Sequence, residues 1–314
     1  LMEMGFNFSK IVGTSIGAFN GAMFCQGDAY ECFKAWKSLD FSSFENEMEE
    51  IDNNDDLLDK IGQLLRDRDI KIPEIKKSPD PLFRLVDEYI DEEKIRKSDV
   101  DFGLCTVNIS DFKDDIEKGL LKDYIIASCY LPVFKMKPLH GKYYLDGGFA
   151  SQLPVDMVDQ TGRDAVVIRL HNTPPKTEIK AKYIIKPNKK LGSSMDFNKE
   201  KADELIKTGY FDAFREVKGL MGEDYYIHPV EEEESLKYIY RILKDKFENS
   251  GNELVRKVFE EHVPKLAEEL DLPETFKYDE LLYKLLEDEA EKKKVDRFKI
   301  YTVDELMREI ENGF

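Results

Sequence analysis

The chain has 314 residues, of which 41% are hydrophobic and 36% are charged, and its formal net charge is −18. The length and hydrophobic share are typical of a folded globular protein of one or two domains, not of a disordered chain. The negative charge argues against nucleic acid as a partner and against electrostatic docking on anionic lipid, because no basic surface is left over to neutralise phosphate groups.

The first half of the chain alternates β-type and α-type patterns, as α/β proteins do. These patterns predict, in order, a buried strand at 7–15, a helix at 16–26, a helix at 28–39, a helix within 78–90, a strand at 100–109, a helix from 119 that is broken at Pro132, and a short strand with a glycine turn within 142–155. Residues 41–70 interrupt this order as an acidic, partly helical insertion whose charges are expected to face solvent.

The second half begins with strands and then becomes helical. The predicted elements are a central strand at 164–170, an outer strand at 181–187, amphipathic helices at 235–247 and 253–270, a short strand at 298–301 and a last helix that begins with a capping box of Thr302 and Glu305. We therefore expect a main α/β domain at 1–230 and a mainly helical extension at 231–314 that packs on it.

The stretch IVGTSIGAFNGA, residues 11–22, carries the pattern G-x-S-x-G between a predicted strand and a predicted helix. In such an elbow the serine occupies a sharp turn with its oxygen exposed, and Gly13 and Gly17 let the two backbones pass closely. The start of the helix places free N–H groups near a developing oxyanion. Ser15 is therefore a candidate nucleophile, and the alternative is a serine in a structural turn.

A serine nucleophile needs a base, and the chain offers two kinds. Its histidines are His140, His171, His228 and His262. The order Ser15, Asp146, His171 satisfies an α/β-hydrolase triad, but that fold places several strands before its nucleophile, and only fourteen residues precede Ser15 here. Asp146 is the better candidate, because it ends a predicted strand before Gly147 and Gly148 and partial burial would raise its proton affinity. The alternative for this stretch is an Asp-Gly turn.

With the elbow, the block ASCYLPVFKMKPLHGKYYLDGGFASQLPVDMV resembles the patatin-like phospholipase family, whose members carry A-S-x-x-x-P followed by D-G-G or D-G-A and Leu-Pro. The resemblance runs from residue 1 to about residue 230. It implies a three-layer α/β/α fold with a mostly parallel central sheet and C-terminal helices. It also implies hydrolysis of lipid acyl esters through a Ser–Asp dyad and an acyl-enzyme, with Ser15 as nucleophile, Asp146 as base, no cofactor and no calcium.

Three departures from the family pattern qualify this resemblance. The family's glycine-rich oxyanion loop, G-G-G-x-[RK]-G, is expected upstream of Leu1, since the chain opens like the end of a helix that enters a strand. Gln152 stands where the family usually has asparagine. The segment at 106–119 is shorter than the hairpin that the family often has there.

The substrate expected from this resemblance is a lipid or phospholipid acyl ester, reached through transient membrane contact. Residues near the motifs are channel candidates that fit an ordinary core equally well: Tyr130, Leu131, Val133, Phe134 and Phe149. No cluster has metal-ligand spacing, so no metal is predicted. Four cysteines without a C-x-x-C pattern indicate free thiols and a cytoplasmic protein, unless an upstream targeting segment exists. Two alternatives remain, which are a non-catalytic or regulatory protein on a patatin scaffold and a histidine-dependent esterase.

Overall fold

The computed structural model describes residues 1–38, 78–109, 120–132, 134–135, 137–158, 164–171, 179–192, 199–244, 252–273 and 275–313. The acidic insertion expected at 41–70 and the channel candidate Val133 lie outside these ranges. The chain divides into two compact units, of which the first comprises Leu1–Ile184 and Lys190–Ile206 and the second Ile185–Lys189 and Lys207–Phe314. The domain boundary expected near residue 230, and the packing of the extension on the main domain, stay predictions.

The described part of the first unit mixes strands and helices. Its elements are a 3-10 turn at Met2–Met4, β1 (Lys10–Thr14), α1 (Ile16–Cys25), α2 (Ala29–Ser38), α3 (Asp80–Tyr89), α4 (Glu92–Lys97), β2 (Asp101–Asn108), α5 (Leu121–Ser128), β3 (Tyr144–Asp146), 3-10 turns at Gly147–Phe149 and Val155–Met157, β4 (Val166–Ile168) and β5 (Tyr183–Ile185). The predicted strand–elbow–helix at the N-terminus, the next two helices, the strand at 100–109 and the short strand before the glycines are confirmed.

A three-stranded sheet in the order β1–β2–β3 organises this unit. β1 is parallel to β2, with Thr14 opposite Cys105, and β3 is antiparallel to β2, with Asp146 opposite Thr106. Adjacent strands lie about 4.8 Å apart, so the ends of β1 and β3 flank β2 at neighbouring positions. This register brings the elbow and the glycine turn to one edge of the sheet.

Helix α1 lies close against the strands because its sheet-facing residues are small. A Cβ added to Gly21 would lie 3.1 Å from Ile11 Cγ2 and 3.2 Å from Phe102 Cε2, and Ala18 and Ala22 are fully buried. These small residues therefore let α1 pack closely on the strands. Close packing holds the start of α1 firmly over the end of β1, since interiors as dense as this tolerate little displacement.

The expected central strand at 164–170 is different in the structure. β4 pairs with β5 in a two-stranded sheet, and Val167 is buried whereas Ile168 is 63% exposed. The apolar run indicates burial on both faces, but Val167 is the one buried residue of β4 and Ile168 is exposed, so the prediction of a central strand is wrong for the described residues. A run of β-branched residues favours a strand without deciding how many neighbours it has. The outer strand at 181–187 is confirmed as β5.

The second unit is mainly helical in its described part. After α6 (Lys199–Lys218), which contributes residues to both units, it contains β6 (Tyr226–Ile227), α7 (Glu232–Lys244), α8 (Asn252–Lys257), a π turn at Val258–His262, α9 (Val263–Glu269), α10 (Tyr278–Lys292), β7 (Ile300–Tyr301) and α11 (Val303–Asn312). The helix predicted at 253–270 is thus interrupted just before Pro264, whose missing N–H removes one helical hydrogen bond. The Thr302–Glu305 capping box is confirmed.

The chain is therefore a mixed α/β protein with small sheets. Among the described residues, β1 with β2 and β6 with β7 form parallel pairs in two separate sheets. A large central sheet is not present among the described residues. No helix in the described ranges combines the length and the apolar character that crossing a bilayer requires.

Candidate active site

Ser15 is the single residue between β1 and α1. Its backbone dihedral angles are φ 55° and ψ −133°, and a positive φ is uncommon for a residue with a side chain. Such a conformation stores on the order of 1–3 kcal/mol and persists only where neighbouring structure holds it. The strand and the helix therefore meet in a sharp, strained elbow, as the sequence pattern predicted.

The Ser15 hydroxyl donates a 2.6 Å hydrogen bond to Oδ2 of Asp146. Asp146 ends β3 and is only 2% exposed, and its other oxygen, Oδ1, accepts the backbone N–H of Gly148 at 2.7 Å. The structure thus brings together the two side chains that the sequence singled out, which lie 131 positions apart. A hydroxyl held this closely to a buried carboxylate can transfer its proton when the oxygen attacks an electrophile.

Burial sets the electrostatics of this pair. Burial raises the pKa of Asp146 from its ordinary 3.8 to about 6, and the hydrogen bonds from Ser15 and Gly148 oppose that increase. The carboxylate is consequently ionised at neutral pH, yet it has a higher proton affinity than an exposed aspartate. This combination suits a general base that works near neutrality.

The two elbow glycines have different surroundings. A Cβ at Gly13 would overlap the carbonyl group of Gly17 and the nitrogen of Ala18, whereas a Cβ at Gly17 would meet no described atom within 4 Å. The close approach expected for both glycines therefore requires glycine at position 13 only. Gly17 takes part in this close approach through its backbone carbonyl group, so the approach does not require the absence of a side chain at position 17.

The glycines after Asp146 are both tightly enclosed. A Cβ at Gly147 would overlap the carbonyl oxygen of Cys105, and a Cβ at Gly148 would lie 3.0 Å from Asp146 Oδ1. The first contact lets the turn after β3 lie flat against β2, and the second lets the Gly148 N–H reach the carboxylate. The expected glycine turn is a 3-10 turn with Asp146 as its side-chain cap.

Two neighbouring residues that sequence reasoning passed over also contact the pair. Ser128, at the end of α5, accepts the backbone N–H of Ser15 at 2.9 Å. The thiol of Cys129 is buried, and burial together with the Asp146 charge raises the pKa of this thiol well above 9.0, while the Ser15 side chain opposes that increase. The thiol therefore stays protonated and is not a competing nucleophile. The A-S-x-x-x-P segment was the available signal for both residues.

The Ser15 hydroxyl does not donate its hydrogen bond to a histidine. In the part of the chain that the structure describes, the Ser15 hydroxyl donates to a carboxylate, and the His140 ring is bonded to Asp123. His228 lies beside β6, where its backbone N–H donates to Tyr301, and His262 ends the π turn of the second unit. Ser15 thus contacts the carboxylate that the sequence offered as a base, and the catalytic roles of Asp146 and His171 stay predictions.

The channel candidates are divided between the core and its margin. Tyr130 and Phe134 are buried in the core of the first unit with ring centroids 6.3 Å apart, and Leu131 packs against that core. Phe149 is half-buried on the 3-10 turn after Asp146. Among the described residues, no three His, Cys, Asp or Glu side chains cluster in a way that could hold a metal ion.

Comparison with known protein families matches residues 1–159 to the patatin-like phospholipases. This match covers just over half of the 314 residues and contains both the elbow and the Asp-Gly-Gly turn. The chain belongs to the patatin-like phospholipase family. Patatin-like proteins are generally lipid acyl hydrolases that act on lipid esters. A comparison with curated proteins found no match.

Proposed function

We propose that this patatin-like protein is a serine lipid acyl hydrolase, a phospholipase A-type esterase, that uses Ser15 as nucleophile and Asp146 as base. The observation that carries the proposal is the 2.6 Å hydrogen bond from the Ser15 hydroxyl to the buried carboxylate. The strained elbow at Ser15 supports it, because strain of this kind is concentrated at functional positions.

The reaction follows from this geometry in two halves. Ser15 Oγ attacks the ester carbonyl carbon as its proton passes to Asp146, and the collapse of the tetrahedral intermediate expels the alcohol, which takes that proton. Water then attacks the acyl-enzyme, gives a proton to Asp146, and releases the fatty acid as Ser15 recovers its proton. Asp146 acts as base and as acid in each half, which a pKa of about 6 permits.

The start of α1 contributes to stabilising the oxyanion. The first N–H groups of a helix have no partner within the helix, and the positive end of the helix dipole lies there. Ile16 and Gly17 occupy this first turn directly after the nucleophile.

Several finer features belong to the same proposal. We infer a three-layer α/β/α catalytic domain at 1–230 with a helical extension at 231–314, a cytoplasmic location and transient membrane contact. The parallel pairing of β1 with β2 and the four free thiols support the first and second of these inferences. No cofactor or metal is part of the proposed reaction.

The test is fatty-acid release from phosphatidylcholine vesicles by the full-length protein, measured by mass spectrometry. Zwitterionic lipid is chosen because a protein with a net charge of −18 is repelled by an anionic surface. Ser15→Ala should abolish release, and Asp146→Asn should lower it by about 100- to 10,000-fold, the usual contribution of general base catalysis. His171→Ala is the matched control and should leave release unchanged.

The alternatives predict different results in the same experiment. A histidine-dependent esterase would lose release on His171→Ala. A non-catalytic scaffold would release no fatty acid and would not be labelled at Ser15 by a fluorophosphonate probe. Either result would refute the proposed Ser15–Asp146 hydrolase.

A further inference from the structure

The strained backbone of Ser15 needs a contact that holds it. The amide N–H of Ser15 donates a 2.9 Å hydrogen bond to Ser128 Oγ, and the Ser128 hydroxyl donates a 2.6 Å hydrogen bond to the carbonyl oxygen of Cys105. Each direction is unambiguous, because an amide N–H only donates and a carbonyl oxygen only accepts. Ser128 is fully buried, so water does not substitute for either bond.

The same carbonyl group also touches the turn that follows the base. Gly147 lies so close to Cys105 O that a Cβ there would overlap it. The carbonyl oxygen of Cys105 on β2 thus accepts a hydrogen bond from the Ser128 hydroxyl and also packs against Gly147, the residue after Asp146. The Ser128 bridge therefore ties the elbow to the strand against which the Asp146 turn is packed.

The segment that begins at Ser128 holds both members of the pair through their main chains. Ser128 Oγ accepts the backbone N–H of Ser15, and two residues later the carbonyl oxygen of Tyr130 accepts the backbone N–H of Asp146 at 2.9 Å. These two anchor points, Ser128 and Tyr130, lie two residues apart on one short segment. They therefore set the distance between Ser15 and Asp146, which are far apart in sequence. Of the two anchors, only the one at Ser128 is made by a side chain.

We propose that Ser128 is a positioning residue, whose hydroxyl holds the Ser15 amide and thereby aims the Ser15 oxygen at Asp146. This inference rests on the proposed function for its effect on turnover, while the geometric effect on the pair is independent of catalysis. A displacement of about 1 Å in a reacting group lowers a rate by about 100-fold. Ser128→Ala should therefore lower kcat by about 100-fold with little change in KM.

The matched control is Ser235→Ala. Ser235 is also a fully buried serine, and its hydroxyl donates to a backbone carbonyl, that of Glu231, in the second unit. The two substitutions remove the same atoms from equally buried sites, so both are expected to lower thermal stability. Only Ser128→Ala should lower kcat.

A second readout does not need turnover. The carboxyl carbon of Asp146 is titrated by NMR in 13C-aspartate-labelled protein, with Asp146→Asn used to assign the resonance. The Ser15 hydrogen bond holds the pKa of Asp146 down, so loss of that bond moves the pKa above about 6. Ser15→Ala gives the full effect, and Ser128→Ala should move the pKa in the same direction. The Cys129 thiol beside the pair does not titrate in this range, because its pKa is far higher.

The outcomes separate the two proposals. A raised Asp146 pKa in Ser128→Ala, together with no turnover by the unmodified protein, supports the positioning role and refutes the hydrolase. An Asp146 pKa and a kcat that match those of Ser235→Ala would overturn the positioning role. If Ser128→Ala does not fold, Ser128→Cys, which keeps a weak donor of similar size, is measured in the same way with smaller changes expected.

Discussion

The backbone N–H of Gly148 donates to one oxygen of Asp146 while the other oxygen accepts from Ser15. The two carboxylate oxygens therefore have separate tasks, since one closes the turn and the other faces the hydroxyl. The structural turn and the candidate base, which the sequence presented as alternatives, are two properties of one side chain.

Replacement of Asp146 by asparagine should stabilise the protein at pH 8. The pKa of Asp146 is about 6 in the folded protein against an ordinary 3.8, so the folded state binds more protons than the unfolded state between these values. Stability is therefore lost as the pH rises from about 4 to 6, and the ionised carboxylate then costs about 3 kcal/mol. Asp146→Asn avoids that cost, and thermal unfolding should show a higher Tm than the parent at pH 8 and an equal Tm at pH 4.

The control for this effect is Asp99→Asn, which removes the same charge from an exposed site. Asp99→Asn should produce the same small change in Tm at pH 8 and at pH 4. A parent protein more stable than Asp146→Asn at pH 8 would contradict the burial argument.

The rate of ester hydrolysis should depend on pH through the same group. The base must be ionised to accept a proton, so kcat/KM for a soluble p-nitrophenyl ester should rise with an apparent pKa of about 6 and reach a plateau above it. At one pH unit below that value, the rate should be about a tenth of the plateau. A rate that is constant from pH 5 to pH 8 would rule out Asp146 as the base.

The two elbow glycines should respond differently to alanine. Gly13→Ala introduces a Cβ that overlaps the backbone of Gly17, and the resulting strain should destabilise the first unit by about 3 kcal/mol or more. Gly17→Ala has open space and should change stability by no more than about 0.5 kcal/mol. Urea unfolding of both variants measures the difference, and equal losses would show that the elbow is less rigid than the contacts indicate.

Glu287 should be important for the stability of the second unit. Its Oε1 accepts three backbone N–H groups, those of Glu223, Asp224 and Tyr225, at 2.7–2.8 Å, and the side chain is 7% exposed. Glu287→Ala leaves these donors without their acceptor and should cost about 3 kcal/mol or more. Glu287→Gln keeps an acceptor oxygen and should cost less, and unfolding followed by circular dichroism compares the two. Equal losses would indicate that packing, not hydrogen bonding, is responsible.

Local patterns in the sequence accounted for most of the elements. The elbow, the capping box at Thr302 and the amphipathic helices of the second unit all depend on residues close together in the chain, and the structure contains them. In the part of the chain that the structure describes, the assignment of 164–170 as a central strand was wrong, because apolar composition does not specify how many strands pair with it. The contact of Ser128 with Ser15 was missed for a related reason, since the A-S-x-x-x-P pattern marks the serine but does not identify its distant partner.

The sequence by itself determined the kinds of element, the sharp turn at Ser15 and the presence of a carboxylate at the end of a short strand. These depend on local propensities, glycine positions and capping side chains, which act within a few residues. Only the tertiary structure decided that Asp146 reaches Ser15 and that Ser128 holds its amide. Those contacts span 131 and 113 positions, and they depend on the register of β2 with β1 and β3, which no local signal specifies.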